Sequence, residues 1–162
     1  TLESLNLFCK KHNYKVIGIY PNTDPGSYEI LDQIEKYNDK KHFHFFKNLP
    51  HIEFVNLIRN SSALIGNSSM GILEGPYYKL PVINVGRRQM GRLNAGNVIF
   101  VDYNTSEILD ALEKSCFDKD YTKHVKGLIN PFGDGRASIK IAKSLESIDL
   151  HDKKWYIKKR LV

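Results

Sequence analysis

Short, continuously apolar runs rich in β-branched residues recur along this chain, each followed by a longer amphipathic stretch. Lys15–Tyr20, His44–Phe46, Ala63–Gly66, Pro81–Val85 and Val98–Val101 are runs of this kind. A strand without polar alternation is buried on both faces, and strands separated by helices pair in parallel through crossovers. The expected fold is α/β, with a doubly wound, Rossmann-like parallel sheet. Helices are expected between the runs: one ending near Tyr37 with Ile30, Leu31, Ile34 and Tyr37 inward, then Ile52–Arg59, Ser69 to about Tyr78, Ser106–Lys114 and Arg136–Ser147.

The 162 residues suffice for one domain with a real core. That domain is expected over residues 1–150. Residues 151–162 form a basic tail with Trp155, Tyr156 and Ile157, expected to be helical and to pack on something outside the chain. No apolar stretch approaches the roughly 20 residues of a membrane span, and no secretory signal pattern opens the sequence. Cys9 and Cys116 stand far apart with no CxxC pair, which points to neither zinc nor disulfides and to a reducing cytoplasm. Much of the net charge of +6 sits in runs such as Lys40–Lys41 and the tail's Lys153, Lys154, Lys158, Lys159 and Arg160. With no nucleic-acid-binding motif beside them, these read as solvated faces. The chain opens on Thr1 inside a helical pattern, with Leu2, Leu5, Leu7, Phe8 and Cys9 on one face, so a piece of a longer protein is expected.

Ligands of parallel α/β sheets bind beyond the carboxyl ends of the strands. Residues 64–75, LIGNSSMGILEG, run off the third strand into a cluster of small polar residues. The cluster is not a hydrolase GxSxG elbow, because the second glycine position holds Met70, and no GxGxxG or P-loop lysine is present. Plain helix capping explains Ser68 or Ser69, but Glu74 lies too far along for a capping box. Gly71 and Gly75 each cost a helix about 1 kcal/mol relative to Ala. An anion cradle fits better: a bare turn lets phosphate oxygens reach backbone N–H groups, and the serine hydroxyls add donors. Glu74 then accepts from a pair of ribose hydroxyls, as acidic residues do in dinucleotide folds.

After the fourth strand, Gly86-Arg-Arg-Gln-Met-Gly-Arg92 supplies guanidinium forks suited to a diphosphate. Cradle, ribose acceptor and fork together point to a nucleoside diphosphate. In Lys47-Asn48-Leu49-Pro50, Pro50 holds the preceding backbone extended, offering N–H and C=O to a base edge. Asn22 and Asp24 serve equally as an Asx turn or as ligand contacts. Gly133–Arg136 reads first as a helix start. His42 and His44 share a strand face, but no further ligand accompanies them, so no metal is expected. No nucleophile–base–orienter set can be assembled.

In this order, YPNTDPGS, KNLPH, LIGNSSMGILEGPYYKLPVINVGRRQMGR, AGNV and NPFGDGRAS resemble the carboxyl-terminal half of UDP-N-acetylglucosamine 2-epimerases, closest to the hydrolysing branch. The resemblance spans about Lys15 to Leu150. It implies one half of a glycosyltransferase-B-like two-domain enzyme that converts UDP-GlcNAc to N-acetylmannosamine and UDP for sialic-acid-type sugars. Carried over by position, Ser68, Ser69 and Arg88 hold the diphosphate and Glu74 the ribose. Lys47, Asn48 and Leu49 meet the uracil, and Asn22 meets the substrate near the cleft. The resemblance implies no cofactor. It places the catalytic acid/base groups in a missing amino-terminal half of the same enzyme, which would partner this one, and implies a homo-oligomer for the full-length protein. Met70 departs from the Gly or Cys usual there. A UDP-diacetamido-bacillosamine hydrolase and the nucleotide-sugar domain of a glycosyltransferase are the alternative readings.

Overall fold

The computed structural model describes residues 1–22, 26–38, 41–149 and 151–152. The expected tail helix lies outside these, save His151 and Asp152, as does Asp24. The elements are α1 (Leu2–His12), β1 (Val16–Ile19), α2 (Ser27–Tyr37), β2 (Phe43–Phe46), α3 (His51–Asn60) and β3 (Leu64–Gly66), then α4 (Met70–Leu73), β4 (Val82–Val85), β5 (Val98–Val101), α5 (Thr105–Phe117), α6 (Lys119–Gly127) and α7 (Ala137–Glu146). Residues 1–129 and 130–162 form separate compact units.

The five strands among the described residues all run parallel to their partners, as their apolar, helix-separated pattern demands. They are Rossmann-like but lie in two sheets, β1–β2 and β3–β4–β5, where one was expected. No ladder joins β1 to β3. Side-chain packing joins the sheets instead: Leu5, Phe8 and Cys9 of α1 and Ile108, Ala111 and Leu112 of α5 share one core with Phe43 of β2 and Ile83 and Val85 of β4. Gly18 sits mid-strand in β1 because the Phe45 ring of β2 fills the space its Cβ would need.

α5 follows from its sequence. Asn104 caps it by accepting from the Ser106 and Glu107 amides, and Ile108, Ala111, Leu112 and Ser115 make the buried stripe. α6 was not expected. Asp118 ends α5 and caps α6 in turn, accepting from the Asp120 and Tyr121 amides. Its few apolar residues hid it: Val125 is buried, and Tyr121 donates its hydroxyl to the Asn97 carbonyl (2.9 Å). Burial pushes the Tyr121 phenol up to about 12. On α1 the buried face is Ser4, Leu5, Phe8 and Cys9, while Leu7 is exposed, contrary to the expected face. On α2 the expected inward Ile30 is exposed and Ile34 is the buried residue.

Outside the core, α1 and α5 meet through Glu113, whose Oε1 accepts from Lys11 Nζ (2.8 Å) and His12 Nε2 (2.7 Å). The Lys11 hydrogen bond first, then that of His12, holds the Glu113 carboxyl below the usual glutamate range. A depressed carboxyl stabilises the fold above its unfolded pKa, and the contribution is lost as pH falls through the folded value. Glu113→Gln should lower stability to urea at pH 7, modestly because the pair is partly exposed. The gap to the parent should narrow as pH falls below about 4, the ordinary glutamate range, and close in stronger acid. A gap that persists in acid would refute the carboxylate's role.

Candidate functional site

Within each sheet, parallel pairing puts the loops after its strands on one edge. Gly66 pairs with Asn84, and Val85 with Val101, so the loop of Ser68 and Ser69, the loop of Arg88 and the start of α5 share the carboxyl edge of β3–β4–β5. Ile19 pairs with Phe46, which sets Asn22 and Lys47–Leu49 at the carboxyl edge of β1–β2. The predicted residues thus fall into two groups, one per sheet.

At the first edge the chain leaves β3 through Asn67. The Ser68 hydroxyl accepts from the Met70 amide (3.3 Å), and Ser69 caps α4 without a side-chain bond. The Ser68 and Ser69 amides donate to no acceptor among the described residues. α4 is only four residues long, not the helix expected to Tyr78. Pro76 removes the next amide donor, and turns follow, with Tyr77 N donating to Glu74 O (2.9 Å). Glu74 therefore stands at the helix end, exposed, its carboxylate without a partner among the described residues.

The glycines here need a different reason from phosphate clearance. Gly71 is buried, and a Cβ on it would come within 2.7 Å of Val82 Cγ1 and 3.3 Å of Leu64 Cδ2. A Cβ on Gly75 would run into the Gly71 carbonyl and the Asn97 amide. Both glycines let α4 press against β3 and β4, which is close helix–strand packing rather than room for a ligand. Asn97, fully buried, clamps the same turn by donating from Nδ2 to the Gly71 and Leu80 carbonyls (3.2 Å each).

The three arginines after β4 separate cleanly. Arg87 pairs with Asp102 (3.6 Å), both exposed. Arg92 Nη1 donates to Gln89 Oε1 (2.8 Å). Arg88 is exposed and has no partner among the described residues. The turn that presents them starts at Asn84, buried in β4, whose Nδ2 donates to the Gly86 carbonyl (2.9 Å). Gly86 has φ 80°, and the Tyr103 ring lies where its side chain would be. Beside this turn an open cavity of about 430 Å³ is lined by Gly86, Arg87, Met90, Phe100, Val101 and Asp102.

At the second edge Asn22 and Lys47 are exposed. Asn48 Oδ1 accepts from the Leu49 amide (2.9 Å), so that N–H is not available to a base, contrary to expectation. Pro50 is extended (φ −53°, ψ 141°) and opens α3. His42 is buried with Nδ1 3.2 Å from the Tyr14 carbonyl, and no metal-holding cluster occurs among the described residues. In the second unit Asp134 Oδ1 accepts from the Arg136 amide just before α7, the helix start expected there.

A family model described as UDP-N-acetylglucosamine 2-epimerase matches residues 1–146. The chain belongs to the UDP-N-acetylglucosamine 2-epimerase family. It is 36% identical over 139 residues to a Legionella pneumophila protein named UDP-N,N'-diacetylbacillosamine 2-epimerase (hydrolyzing), covering 86% of this chain and 36% of that one. It is 40% identical over 101 residues to the UDP-N-acetylglucosamine 2-epimerase of Neisseria meningitidis, covering 62% of this chain and 26% of that one. The chain thus spans about a quarter to a third of the length of these curated relatives. Among solved structures, UDP-GlcNAc 2-epimerase of Methanocaldococcus jannaschii, in complex with UDP-GlcNAc and UDP, shares the fold at TM-score 0.70 and 20% identity, over 90% of this chain and 39% of that one.

Three buried amides of this family member, Asn84, Gln89 and Asn97, escaped the reading from sequence. A polar residue inside an apolar strand was the one available signal, and it marks Asn84 alone. Gly75→Ala should destabilise this chain by about 3 kcal/mol or more, since the obstructing Gly71 carbonyl is backbone. Gly71→Ala should cost less, because Val82 can shift and Ala regains about 1 kcal/mol of helix propensity. Urea denaturation of both variants orders them; a neutral Gly75→Ala would refute the packing account.

Proposed function

We propose that this chain is the UDP-binding half of a hydrolysing UDP-N-acetylglucosamine 2-epimerase, acting in the cytoplasm as part of a homo-oligomer. One observation carries the assignment: of three neighbouring arginines, only Arg88 is left unpaired among the described residues, on the same sheet edge as the unengaged Ser68 and Ser69 amides.

In this reading Arg88, Ser68 and Ser69 hold the diphosphate. Glu74, exposed and unpaired among the described residues, accepts from the ribose hydroxyls. Lys47, Asn48 and Leu49 meet the uracil. With the Leu49 amide engaged by Asn48, the Leu49 carbonyl, which accepts from no described residue, takes the N–H of the base. Asn22 lies toward the sugar. The C2 proton is removed by a base in the amino-terminal half. Its electron pair forms the C1–C2 double bond, and the C1–O pair leaves with UDP. Water then adds to the glycal, giving N-acetylmannosamine. Arg88 and the amides stabilise charge developing on departing UDP, in a setting organised before reaction.

The relatives named as hydrolysing diacetylbacillosamine epimerases support a second reading, the same chemistry on a UDP-diacetamido sugar. Family membership favours either over a glycosyltransferase. Product identification by NMR with full-length enzyme on both UDP-sugars separates the two. Arg88→Ala and Glu74→Ala in that enzyme should each weaken UDP about tenfold to a hundredfold, as losing hydrogen bonds to charged groups does. Salt should narrow the Arg88 difference. Unchanged UDP affinity in Glu74→Ala would overturn the ribose assignment, and turnover by this chain alone would overturn the placement of the catalytic groups.

A further inference from the structure

The loops that follow β3 and β4 are tied together by one buried side chain. Gln89 is only 3% exposed, although its neighbours Arg88 and Met90 are exposed. Its Nε2 donates to the carbonyl of Asn67 (3.0 Å), the residue before Ser68. Its Oε1 accepts from Arg92 Nη1 (2.8 Å), at the far end of the arginine turn. Both ends of a buried amide are thus engaged, each by a different segment. A surface glutamine would lose side-chain entropy in being so fixed, and a satisfied buried one rigidifies the backbone it joins.

We infer that Gln89 is a positioning residue for diphosphate binding: it sets the loop of Ser68 and Ser69 against the turn of Arg88, so that donors from two strands bind as one unit. The inference rests on the assignment of Ser68, Ser69 and Arg88 to the diphosphate. The two segments leave different strands, and β3 is only three residues long, so strand pairing alone defines little of the loop beyond Gly66. Gln89 neighbours Arg88 in sequence and holds Asn67, one residue before the serine donors. A shift of the Asn67 carbonyl therefore moves the serine donors relative to the guanidinium. Glu74, which grips the nucleoside end in this reading, makes no bond to Gln89 and follows a turn that Asn97 clamps separately through the Gly71 and Leu80 carbonyls.

The test compares UDP with uridine on full-length enzyme. Gln89→Leu, similar in size but without polar ends, should weaken UDP about tenfold, the equivalent of one to two hydrogen bonds. Uridine affinity should stay within about twofold, which a merely loosened fold would not allow. Gln89→Glu keeps the acceptor for Arg92 and loses the donor to Asn67, and should weaken UDP as much as the leucine variant. Arg92→Met cuts only the outer bond and should weaken UDP less. If Gln89→Leu fails to fold, the other two variants carry the test. The Gln89→Leu and Arg88→Ala changes should also be less than additive, since both break one unit.

Parallel losses for uridine and UDP, or unchanged UDP affinity in Gln89→Glu, would overturn the inference. Arg88→Ala tells the two failures apart. If it weakens UDP while the Gln89 variants do not, only the positioning role falls; if it leaves UDP unchanged, the diphosphate assignment falls and the positioning role with it.

Discussion

β4 is the constraint on which the rest of this structure depends. All four of its residues are buried, and both its edges are paired, to β3 through Leu64–Gly66 and to β5 through Val98–Val101. Val82 limits how close α4 approaches, and Ile83 and Val85 belong to the core built with α1 and α5. Asn84 turns the chain at Gly86 and so aims the arginine turn. A strand buried on both faces and bonded on both edges has little freedom to move. The groups carried by its carboxyl end inherit that rigidity, which suits the diphosphate site proposed there.

Around β4, buried amides do what longer strands do in larger sheets. Asn97 joins the Gly71 turn to the Leu80 carbonyl, and Gln89 joins the two loops at the site. Hydrogen bonds in a low-dielectric interior are stronger than at the surface, and leaving one unmade is costly. The same network sorts the arginines. Arg92 is held by Gln89, Arg87 leans on Asp102, and Arg88 is left without a partner among the described residues. This division comes from geometry, since the three residues are chemically identical.

The strands were the most legible part of the fold, because continuous β-branched runs have few other uses. Helices with a clear apolar stripe and a capping residue, such as α5, were legible too. α6 was not: apart from Val125, its contacts come from polar side chains, Tyr121 toward Asn97 and Asp118 toward its own amides. α4 was read too long because local periodicity outweighed Pro76. At the site, the sequence marked the loops correctly as strand followers but misread Gly71 and Gly75. A missing side chain looks the same in sequence whether the space belongs to a ligand or to Val82.

The sequence by itself determined that this chain is parallel α/β, that its polar loops sit beyond strand ends, and which family it resembles. These follow from periodicity, from the need to bury apolar strands on two faces, and from motifs in fixed order. Only the tertiary structure decided that the strands lie in two sheets sharing one core, that Arg88 rather than Arg87 or Arg92 is unpaired among the described residues, and that Gln89 ties the two loops. Those outcomes depend on contacts between residues far apart along the chain, such as Gln89 with Asn67 and Asn97 with Gly71, and local pattern carries no information about them.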